Sequence, residues 1–331
     1  MRSLALVVPR EEGEEVRKRL IAMEALRSEL RIGMKDGLLL FPVSREVSLG
    51  YPTEVHDFPR VTRRPRSYRE LVEIPEELRP LLPRSYDVVG DVAILRLPEE
   101  LAEYEGSIGS SFLRAYKAIK TVAVDEGIKG TFRQRRLRII AGRESTGTIH
   151  REHGLVLAVD PAVVYFSPRM AGERWRVAQQ VIPGEVVVDT FSGVGPFALR
   201  IAGQGARVVY AVDSNPKAIE FLQENVRRNR VDNVVVIPGD AAEVLPTLEP
   251  ADRIILDFPR NPLPYLPAAV SALKEGGILH YYEILERVDL EERIGHLQET
   301  LPGLEVLETR EVRGYSTTQA HYVLDLRVSR G

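Results

Sequence analysis

Four aspartates follow short apolar segments in the second half of the chain, each where a buried strand is predicted to end. They are Asp189 after VVV, Asp213 after VVYAV, Asp240 after VVVIPG and Asp257 after RIIL. Any one of them alone is equally well explained as a helix N-cap. Open α/β sheets bind ligands at the carboxyl ends of their strands, so acids at successive strand ends favour a shared ligand site.

A glycine-rich turn follows the first of these strands, within the stretch EVVVDTFSGVGPFA. Gly193 and Gly195 let the backbone come close to a ligand, and the helix start beyond them offers unpaired N–H groups to a negative group. The spacing formally satisfies the G-x-G-x-x-G/A dinucleotide fingerprint, which is weak evidence when it stands alone. In that fingerprint the chain turns at once after the strand. Here the residues TFS separate Asp189 from Gly193.

The loop and the acids together favour S-adenosylmethionine over a nicotinamide dinucleotide as the cofactor. Asp213 is placed to bind a ribose diol, which both cofactors have, and Asp240 is placed to bind an adenine amino group. Asp257 adds a further acid at the same edge of the sheet. The cofactor-binding residues predicted from this pattern are Asp189, Phe191, Gly193, Val194, Gly195, Asp213, Asp240 and Asp257.

The segments that must position these residues alternate between apolar strands and helices from Met170 onward. Five apolar strands separated by helical segments predict a doubly wound parallel sheet, which is a Rossmann-like α/β fold. The last two β segments, LEVLETREVRG and AHYVLDLRV, have no helix between them and predict an antiparallel edge hairpin. The predicted divisions are a small α/β domain at 1–55, a basic linker at 56–69, an α+β middle domain at 70–168 and the cofactor-binding domain at 169–331.

Composition excludes several classes of protein. The 331 residues include no cysteine and six histidines, which removes disulfides and thiolate zinc sites and makes a metal centre unexpected. No stretch approaches 18 apolar residues, so we expect a cytoplasmic protein that does not span a membrane. A net charge of −3 argues against a uniformly basic nucleic-acid binder but hides local patches. One such patch is the arginine-rich segment 56–69, either a solvated linker or a basic hinge that contacts phosphate.

Six segments of the chain carry a family resemblance: VVVDTFSGVGPFAL, AVDSNPKAIEFLQENVRRN, GGILHYY, VVYFSPRMAGERWRVA, KGTFRQRRLRIIAG and SYDVVGDVAIL. They resemble the archaeal and eukaryotic tRNA methyltransferases that modify N1 of the guanosine at position 37. The resemblance implies a class I methyltransferase domain that uses S-adenosylmethionine and binds tRNA, in a protein that we expect to be a monomer. The related aminocarboxypropyl transferases of wybutosine synthesis share this core but typically lack the small N-terminal domain. Residues 1–55 look like that domain, which is implied to dock on the tRNA elbow, and this favours the methyltransferase branch.

The resemblance also implies roles for individual residues. Guanine N1 carries a proton that must leave as the methyl group arrives, and Glu173 matches the family's proposed general base. Negative charge then builds on O6, and Arg133 matches the arginine that would stabilise it. Each has an ordinary alternative, a first-turn helix acid for Glu173 and one member of a solvated basic strand for Arg133. Contacts with the RNA are expected from Arg135, Arg136, Arg169 and Pro259, and Arg174 is a candidate for contacting phosphate or the cofactor.

One position departs from the family pattern. The methyltransferases usually carry Asn-Leu-Pro after the fourth strand, where this chain has Asp257-Phe258-Pro259. An ionised aspartate only accepts hydrogen bonds, which still suits the N1–H and 2-amino groups of guanine. Asp257 is therefore also a candidate to share the base role, and another purine is an alternative target. Tyr165, Phe166 or Phe258 are candidates to stack on a flipped base, although aromatic residues at strand ends more often belong to a core.

Four functions are compatible with this pattern. The leading one is methyl transfer from S-adenosylmethionine to a tRNA purine next to the anticodon. Its nearest competitor uses the same cofactor but transfers the aminocarboxypropyl arm, or a methyl group, to a wyosine precursor. A nicotinamide-dependent oxidoreductase is a more remote alternative, because the loop spacing differs from the dinucleotide fingerprint. A catalytically inactive RNA-binding protein is also more remote, because the glycine-rich loop and the strand-end acids are intact.

Overall fold

The chain divides into two units, residues 1–66 and residues 67–331. The computed structural model describes residues 1–61, 65–130, 134–301 and 303–329. Three arginines singled out in the sequence, Arg63 and Arg64 of the predicted linker and the O6-stabilising candidate Arg133, lie outside the described residues. Within the described ranges, no helix is long and apolar enough to cross a membrane, and no group of three or more acidic or histidine side chains is arranged to hold a metal ion.

The first unit is a four-stranded antiparallel sheet with a helix packed against it. Its elements are β1 (Arg2–Pro9), α1 (Gly13–Ala22), β2 (Gly33–Lys35), β3 (Leu38–Val43) and β4 (Thr53–Asp57), in the sheet order β2-β3-β1-β4. Leu6 and Val8 of β1 share a core with α1. The domain boundary predicted at residue 55 lies inside β4, because Asp57 still pairs with β1 and Phe58 beyond it is buried.

The first part of the second unit holds another four-stranded sheet and a separate hairpin. Its elements are β5 (Asp87–Val89), β6 (Val92–Leu95), α2 (Glu105–Ala115), β7 (Thr121–Lys129), β8 (Gln134–Gly142), β9 (Thr148–Glu152) and β10 (Leu155–Val159). Within the segment SYDVVGDVAILRL, β5 and β6 pair antiparallel. β6 and β7 run parallel, β8 returns antiparallel, and β9 and β10 form the hairpin.

The rest of the second unit is a seven-stranded sheet. Its elements are α3 (Ala171–Gln179), β11 (Val186–Asp189), α4 (Pro196–Ala202), β12 (Val208–Asp213), α5 (Pro216–Asn229), β13 (Val234–Pro238), α6 (Ala241–Val244), β14 (Ala251–Leu256), α7 (Leu266–Ala272), β15 (Leu273–Glu286), α8 (Leu290–Thr300), β16 (Leu304–Gly314) and β17 (Gln319–Val328). The strand order is β13-β12-β11-β14-β15-β17-β16. Strands β11 to β15 pair in parallel, whereas β16 and β17 are antiparallel. The predicted Rossmann-like sheet with an edge hairpin is therefore confirmed.

Strand β11 lies at the centre of the five parallel strands, between β12 and β14. Val186, Val187 and Val188 are all buried, because apolar clusters cover both faces of the strand. A continuous β-branched run is what a strand buried on both faces requires. After β13 the chain crosses to the other side of β11 to enter β14. The strand order therefore reverses between β11 and β14, and a crevice opens at their carboxyl ends.

Helix α5 connects this crevice to the β9–β10 hairpin through Asn225. The side chain is fully buried, with Oδ1 accepting from the Ala158 N–H (2.6 Å) and Nδ2 donating to the carbonyls of Ala158 (3.0 Å) and Val194 (2.9 Å). Asn229, one turn later, makes the same pair of contacts with the backbone of Val156 at 2.9 Å each. The two asparagines thus satisfy backbone groups of β10 and fix the hairpin against α5.

We predict that Asn225→Ala lowers the free energy of unfolding by about 2–4 kcal/mol, because it leaves the buried backbone groups of Ala158 and Val194 without partners. Urea unfolding followed by circular dichroism measures the change. Glu224→Ala, on the exposed side of the same helix, is the matched control and should alter stability by less than about 0.5 kcal/mol. Equal effects of the two substitutions would contradict this role of Asn225.

Candidate cofactor and substrate site

A cavity of about 250 Å³ lies at the carboxyl ends of the parallel strands. Its walls include the sequence-predicted residues Phe191, Gly193, Val194, Asp213, Asp240, Asp257, Arg174 and Pro259. They also include Tyr165, Phe166, Met170, Phe258, Tyr265 and His321. Asp189, Gly195 and Glu173 do not form part of these walls. Three of the four acids that follow separate strands in the sequence, Asp213, Asp240 and Asp257, therefore come together around one cavity.

The glycine-rich loop has backbone conformations that favour glycine. Gly193 has φ +54° and Gly195 has φ +88°, and a side chain at position 195 would collide with Leu222 of α5. The N–H of Gly193 donates to Asp213 Oδ2 (2.7 Å), and the N–H of Ser192 donates to a carbonyl of β12 (2.9 Å). These bonds fix the loop against β12, so its backbone forms a preformed wall of the cavity.

Asp213 and Asp240 combine a backbone contact with a position on the cavity wall. Asp213 accepts from the N–H groups of Gly193 and Asn215 (2.8 Å), and Asp240 Oδ1 accepts from the Ala242 N–H (2.8 Å) as the N-cap of α6. Burial raises the pKa of Asp213. A carboxylate has about four lone-pair positions. These bonds therefore leave acceptor capacity for a ligand, and for Asp240 the N-cap and the ligand-site explanations are compatible.

Asp189 is buried directly behind the glycine-rich loop. Its Oδ2 accepts from the Ala198 N–H (3.1 Å), and its Oδ1 has no hydrogen-bond partner among the described residues. Burial, followed by the negative charges of Asp257 and Asp213, raises the pKa of Asp189 to about 8. A positive charge in the cavity would relieve this repulsion. The electrostatics of the site thus fit the cationic cofactor predicted from the sequence.

Three aromatic rings form an apolar wall near Asp240. Phe191 and Phe258 stack with their centroids 4.7 Å apart, and Tyr265 packs edge-on against Phe191 at 4.8 Å. Burial and the nearby charge of Asp240 raise the pKa of Tyr265. A flat apolar surface beside a carboxylate suits a purine ring that carries an amino group.

The other two candidates for stacking on a flipped base differ in exposure. Phe166 is 3% exposed and belongs to the core, where its ring packs edge-on against His150 (5.0 Å). Tyr165 is 38% exposed and lines the cavity. With Phe258 in the aromatic wall, Tyr165 is the candidate whose exposure best suits contact with a substrate base.

Glu173, the predicted base, is 5% exposed and lies outside the walls of the cavity. Its carboxylate accepts from Arg176 (2.7 and 3.0 Å) and from the Tyr282 hydroxyl (2.8 Å). The Tyr282 ring lies 5.7 Å from the ring of His321, whose Nε2 is 3.9 Å from Asp257 Oδ1. Tyr282 and His321 therefore lie between Glu173 and Asp257, which is on the cavity wall.

Arg176 joins Glu173 to a buried ionic network beneath the sheet. It donates to Asp325 of β17 (2.6 Å), Asp325 bonds His280 Nδ1 (2.6 Å), and His280 Nε2 meets Arg253 of β14 (2.8 Å). Arg253 then binds Glu185 (2.9 Å). Burial opposes the charge of Asp325, but His280 and Arg176 outweigh it and hold its pKa well below the ordinary value. Burial lowers the pKa of His280, which favours a neutral ring that donates to Asp325 and accepts from Arg253.

Arg174 is already engaged by protein groups. It donates from Nε and Nη2 to the two oxygens of Glu152 (2.6 and 2.5 Å) and from Nη2 to the Ser167 carbonyl (3.1 Å). Burial opposes ionisation of Glu152, but His150 and Arg174 outweigh it and lower its pKa to about 2. Arg174, which was predicted to contact the cofactor or a phosphate, thus forms a buried ion pair that joins α3 to β9. One side of Arg174 also faces the cavity.

The predicted RNA-contacting arginines lie outside this cavity. Arg135 Nη1 and Arg169 Nε donate to the two oxygens of Asp87 (3.1 and 2.7 Å) and line a neighbouring polar cavity. The side chain of Arg136 is 69% exposed and pairs with Glu126 at 2.8 Å. Arg135 and Arg169 therefore share one site, whereas Arg136 is on the open surface.

The residues of the site that were missed in the sequence include Arg176, Tyr282, His321, Tyr265 and Glu152. A signal existed for Arg176, since its i,i+3 spacing from Glu173 on a predicted helix brings the two side chains together. His321 and Tyr282 reach the cavity region through the pairing register of β15 with β17, in which His321 stands opposite Ile284. No local sequence pattern indicates that register.

Comparison with protein-family models matches three successive segments of the chain. Residues 148–306 match the TRM5/TYW2 methyltransferase domain, residues 68–146 the TYW2 N-terminal domain, and residues 5–48 the tRNA methyltransferase 5 N-terminal domain. Segment 5–48 lies within the first unit, and segment 68–146 contains the β5–β8 sheet. Segment 148–306 contains the parallel strands β11 to β15.

Individual relatives are similar over most of the chain. The tRNA (guanine(37)-N(1))-methyltransferase Trm5b of Pyrococcus abyssi is 43% identical over 99% of both chains, and its crystal structure superposes with a TM-score of 0.82 over 99% of this chain and 100% of that one. The structure of aTrm5 in complex with tRNALeu is 32% identical, with a TM-score of 0.86 over 98% and 100% of the chains. A tRNA(Phe) (4-demethylwyosine(37)-C(7)) aminocarboxypropyltransferase of Pyrococcus horikoshii is 33% identical over 77% of this chain and 93% of its own length.

Proposed function

The chain belongs to the TRM5/TYW2 methyltransferase family, and we propose that it transfers the methyl group of S-adenosylmethionine to N1 of the guanosine at tRNA position 37. The observation that carries this proposal is the similarity to Trm5b over 99% of both chains. The aminocarboxypropyltransferase relative matches 77% of this chain. Docking of the first unit on the tRNA elbow, a monomeric state and a cytoplasmic location stay predictions from the sequence.

The side chains that line the cavity at the strand ends support S-adenosylmethionine as its ligand through their hydrogen-bonding groups and charge. Asp213 would bind the ribose hydroxyls, and Asp240 would accept from the adenine amino group beside the aromatic wall of Phe191, Phe258 and Tyr265. The buried charges at Asp189 and its neighbours favour a cation. When bound, the cofactor supplies a methyl group on a positively charged sulfur.

The chain offers two candidate carboxylates that could act on the proton of guanine N1. Asp257 lines the cavity and can accept from the N1–H or the 2-amino group, which orients the base. Glu173 is held in place by Arg176 and Tyr282, and its chain neighbour Arg174 faces the cavity. We assign the general base to Glu173, as the family resemblance implies, and the orientation of the guanine edge to Asp257. Arg133 stays the proposed partner of O6.

Glu173→Gln should lower kcat about 10²- to 10⁴-fold, because the amide cannot take the N1 proton, while the affinity for S-adenosylmethionine stays close to that of the wild type. Single-turnover methylation and cofactor titration measure the two quantities. Glu308→Gln is the matched control, since Glu308 also pairs with Arg176 (3.1 Å) but is exposed. A larger loss of kcat from Asp257→Asn than from Glu173→Gln would move the base role to Asp257.

The proposed reaction is tested by nucleoside mass mapping of tRNA after incubation with the protein and S-adenosylmethionine. We expect one added methyl group, recovered as 1-methylguanosine from position 37, and loss of the product when position 37 is replaced by adenosine. The much heavier aminocarboxypropyl adduct, supported as the alternative by the match of residues 68–146, would refute methyl transfer. A methyl group at another nucleotide would refute the assigned target.

The raised pKa of Asp189 makes cofactor binding depend on pH. A cation lowers that pKa, so binding releases a proton, and affinity should rise as the pH rises from 6.5 towards 8.5. S-adenosylhomocysteine has the same amino and carboxylate groups but a neutral sulfur, so the ratio of the two affinities isolates the sulfonium. We expect this ratio to favour S-adenosylmethionine more strongly at pH 8.5 than at pH 6.5. The difference should be up to about tenfold for each unit by which the sulfonium lowers the pKa of Asp189.

Calorimetry across this pH range checks the effect and counts the released protons. Asp257→Asn is the informative variant, because it keeps Asp189 but removes one of the charges that raise its pKa. The rise in affinity should then occur at lower pH. A ratio that does not change with pH in the wild type would contradict the coupling to Asp189.

A further inference from the structure

A second cavity, of about 410 Å³, adjoins the cofactor site, and Tyr165 lines both. Four arginines line it, and we call it the arginine cavity. They are Arg96 directly after β6, Arg135 of β8, Arg169 just before α3 and Arg313 of β16. The site therefore combines residues of the middle sheet with residues of the edge hairpin.

The charges in the arginine cavity do not cancel. The carboxylates that line it are Asp87 and Asp125, so the described lining side chains leave an excess of two positive charges. Burial opposes the charge of Asp87, but Arg135 and Arg169 outweigh it and lower its pKa. Asp87 is therefore ionised at neutral pH. Even with this negative charge counted, the net positive charge of the cavity favours binding of an anion.

The two carboxylates pair with three of the four guanidinium groups, those of Arg96, Arg135 and Arg169. Asp87 accepts from Arg135 (3.1 Å) and from Nε of Arg169 (2.7 Å), while Asp125 lies 3.6 Å from both Arg135 and Arg96. Arg169 and Arg96 keep 52% and 81% of their side chains exposed. Planar guanidinium groups with exposed N–H donors are suited to bidentate binding of phosphate oxygens.

The fourth arginine and an aromatic ring come from the edge hairpin. Nε of Arg313 is buried without a hydrogen-bond partner among the described residues. Tyr315 is 41% exposed, and the guanidinium of Arg260 lies 5.3 Å above its ring and donates to its hydroxyl. Arg260 directly follows the Asp257-Phe258-Pro259 segment of the cofactor cavity. The hairpin and the loop that carries Asp257 are therefore held together.

We propose that the arginine cavity binds a phosphodiester of the RNA next to the nucleotide that enters the cofactor site. This inference rests on the proposed function, because it takes the substrate to be RNA. An enzyme that flips a base out must hold the backbone on either side of it. The arginine cavity has an excess of positive charge and shares Tyr165 with the cofactor cavity, so it can hold the backbone beside a base that enters that cavity.

The test measures binding of an anticodon stem-loop RNA with guanosine at position 37, by fluorescence anisotropy over a range of salt concentrations. The double variant Arg96→Gln/Arg313→Gln should raise Kd about tenfold and reduce the slope of log Kd against log salt by about 1. Affinity for S-adenosylmethionine should stay unchanged, which also reports that the variant is folded. Arg310→Gln is the matched control, because Arg310 is exposed on the same strand and does not line the cavity.

A neutral methylphosphonate linkage identifies the phosphate. Placed in turn on the 5′ and 3′ sides of nucleotide 37, it should weaken binding of the wild type at one of the two linkages and have little further effect on the double variant at that linkage. Additive losses at both linkages, or a double variant that matches Arg310→Gln, would overturn the proposal. Inorganic phosphate that competes equally with normal and neutral-linkage RNA would overturn the assignment to RNA.

The outcomes separate this inference from the proposed function. RNA that is bound and methylated normally by the double variant overturns the arginine cavity alone. A wild-type protein that binds no RNA overturns both.

Discussion

The carboxyl edge of the parallel sheet concentrates negative charge in a buried place, and the rest of the site depends on this constraint. Asp189 and Asp213 end the adjacent parallel strands β11 and β12, and Asp257 directly follows β14 on the other side of β11. Burial and mutual repulsion make full ionisation costly, as the raised pKa of Asp189 shows. Backbone N–H groups of Gly193 and Ala198 compensate part of this charge. The remainder favours a cationic ligand, and transfer of a methyl group from a sulfonium removes that cation, so the same charges hold the product less tightly than the reactant.

The ionic network beneath the sheet positions the groups around this edge. Buried ion pairs add little net stability because their desolvation costs about as much as their attraction gains. The network instead joins Arg176 of α3 to Asp325 of β17 and His280 of β15. Helix α3 carries Glu173, whereas β15 and β17 carry Tyr282 and His321. The relative position of all three groups is therefore set by hydrogen bonds with defined directions and not by apolar packing alone.

Local patterns in the sequence predicted the sheet and its acids, because a strand buried on both faces is a continuous apolar run and its end is easily recognised. Contacts that depend on distant pairing were not predictable. Asn225 is polar on a helix, and its partners on β10 are 67 positions away. β4 is short and charged, so the boundary placed at residue 55 did not anticipate its pairing with β1. The site was predictable to the same extent: the wall acids were found, but the Glu152 partner of Arg174 was not.

The departure at position 257 bears on which purine the site accepts. An amide can turn to present either a donor or an acceptor to a purine edge, whereas an ionised carboxylate only accepts. Guanine presents N1–H and an amino group to such an acceptor. Adenine presents a lone pair at N1, which a carboxylate repels. In the proposed orientation Asp257 therefore rejects adenine more strongly than the amide does. Its charge also adds to the repulsion on Asp189, so the same residue that narrows the choice of base strengthens the requirement for a bound cation.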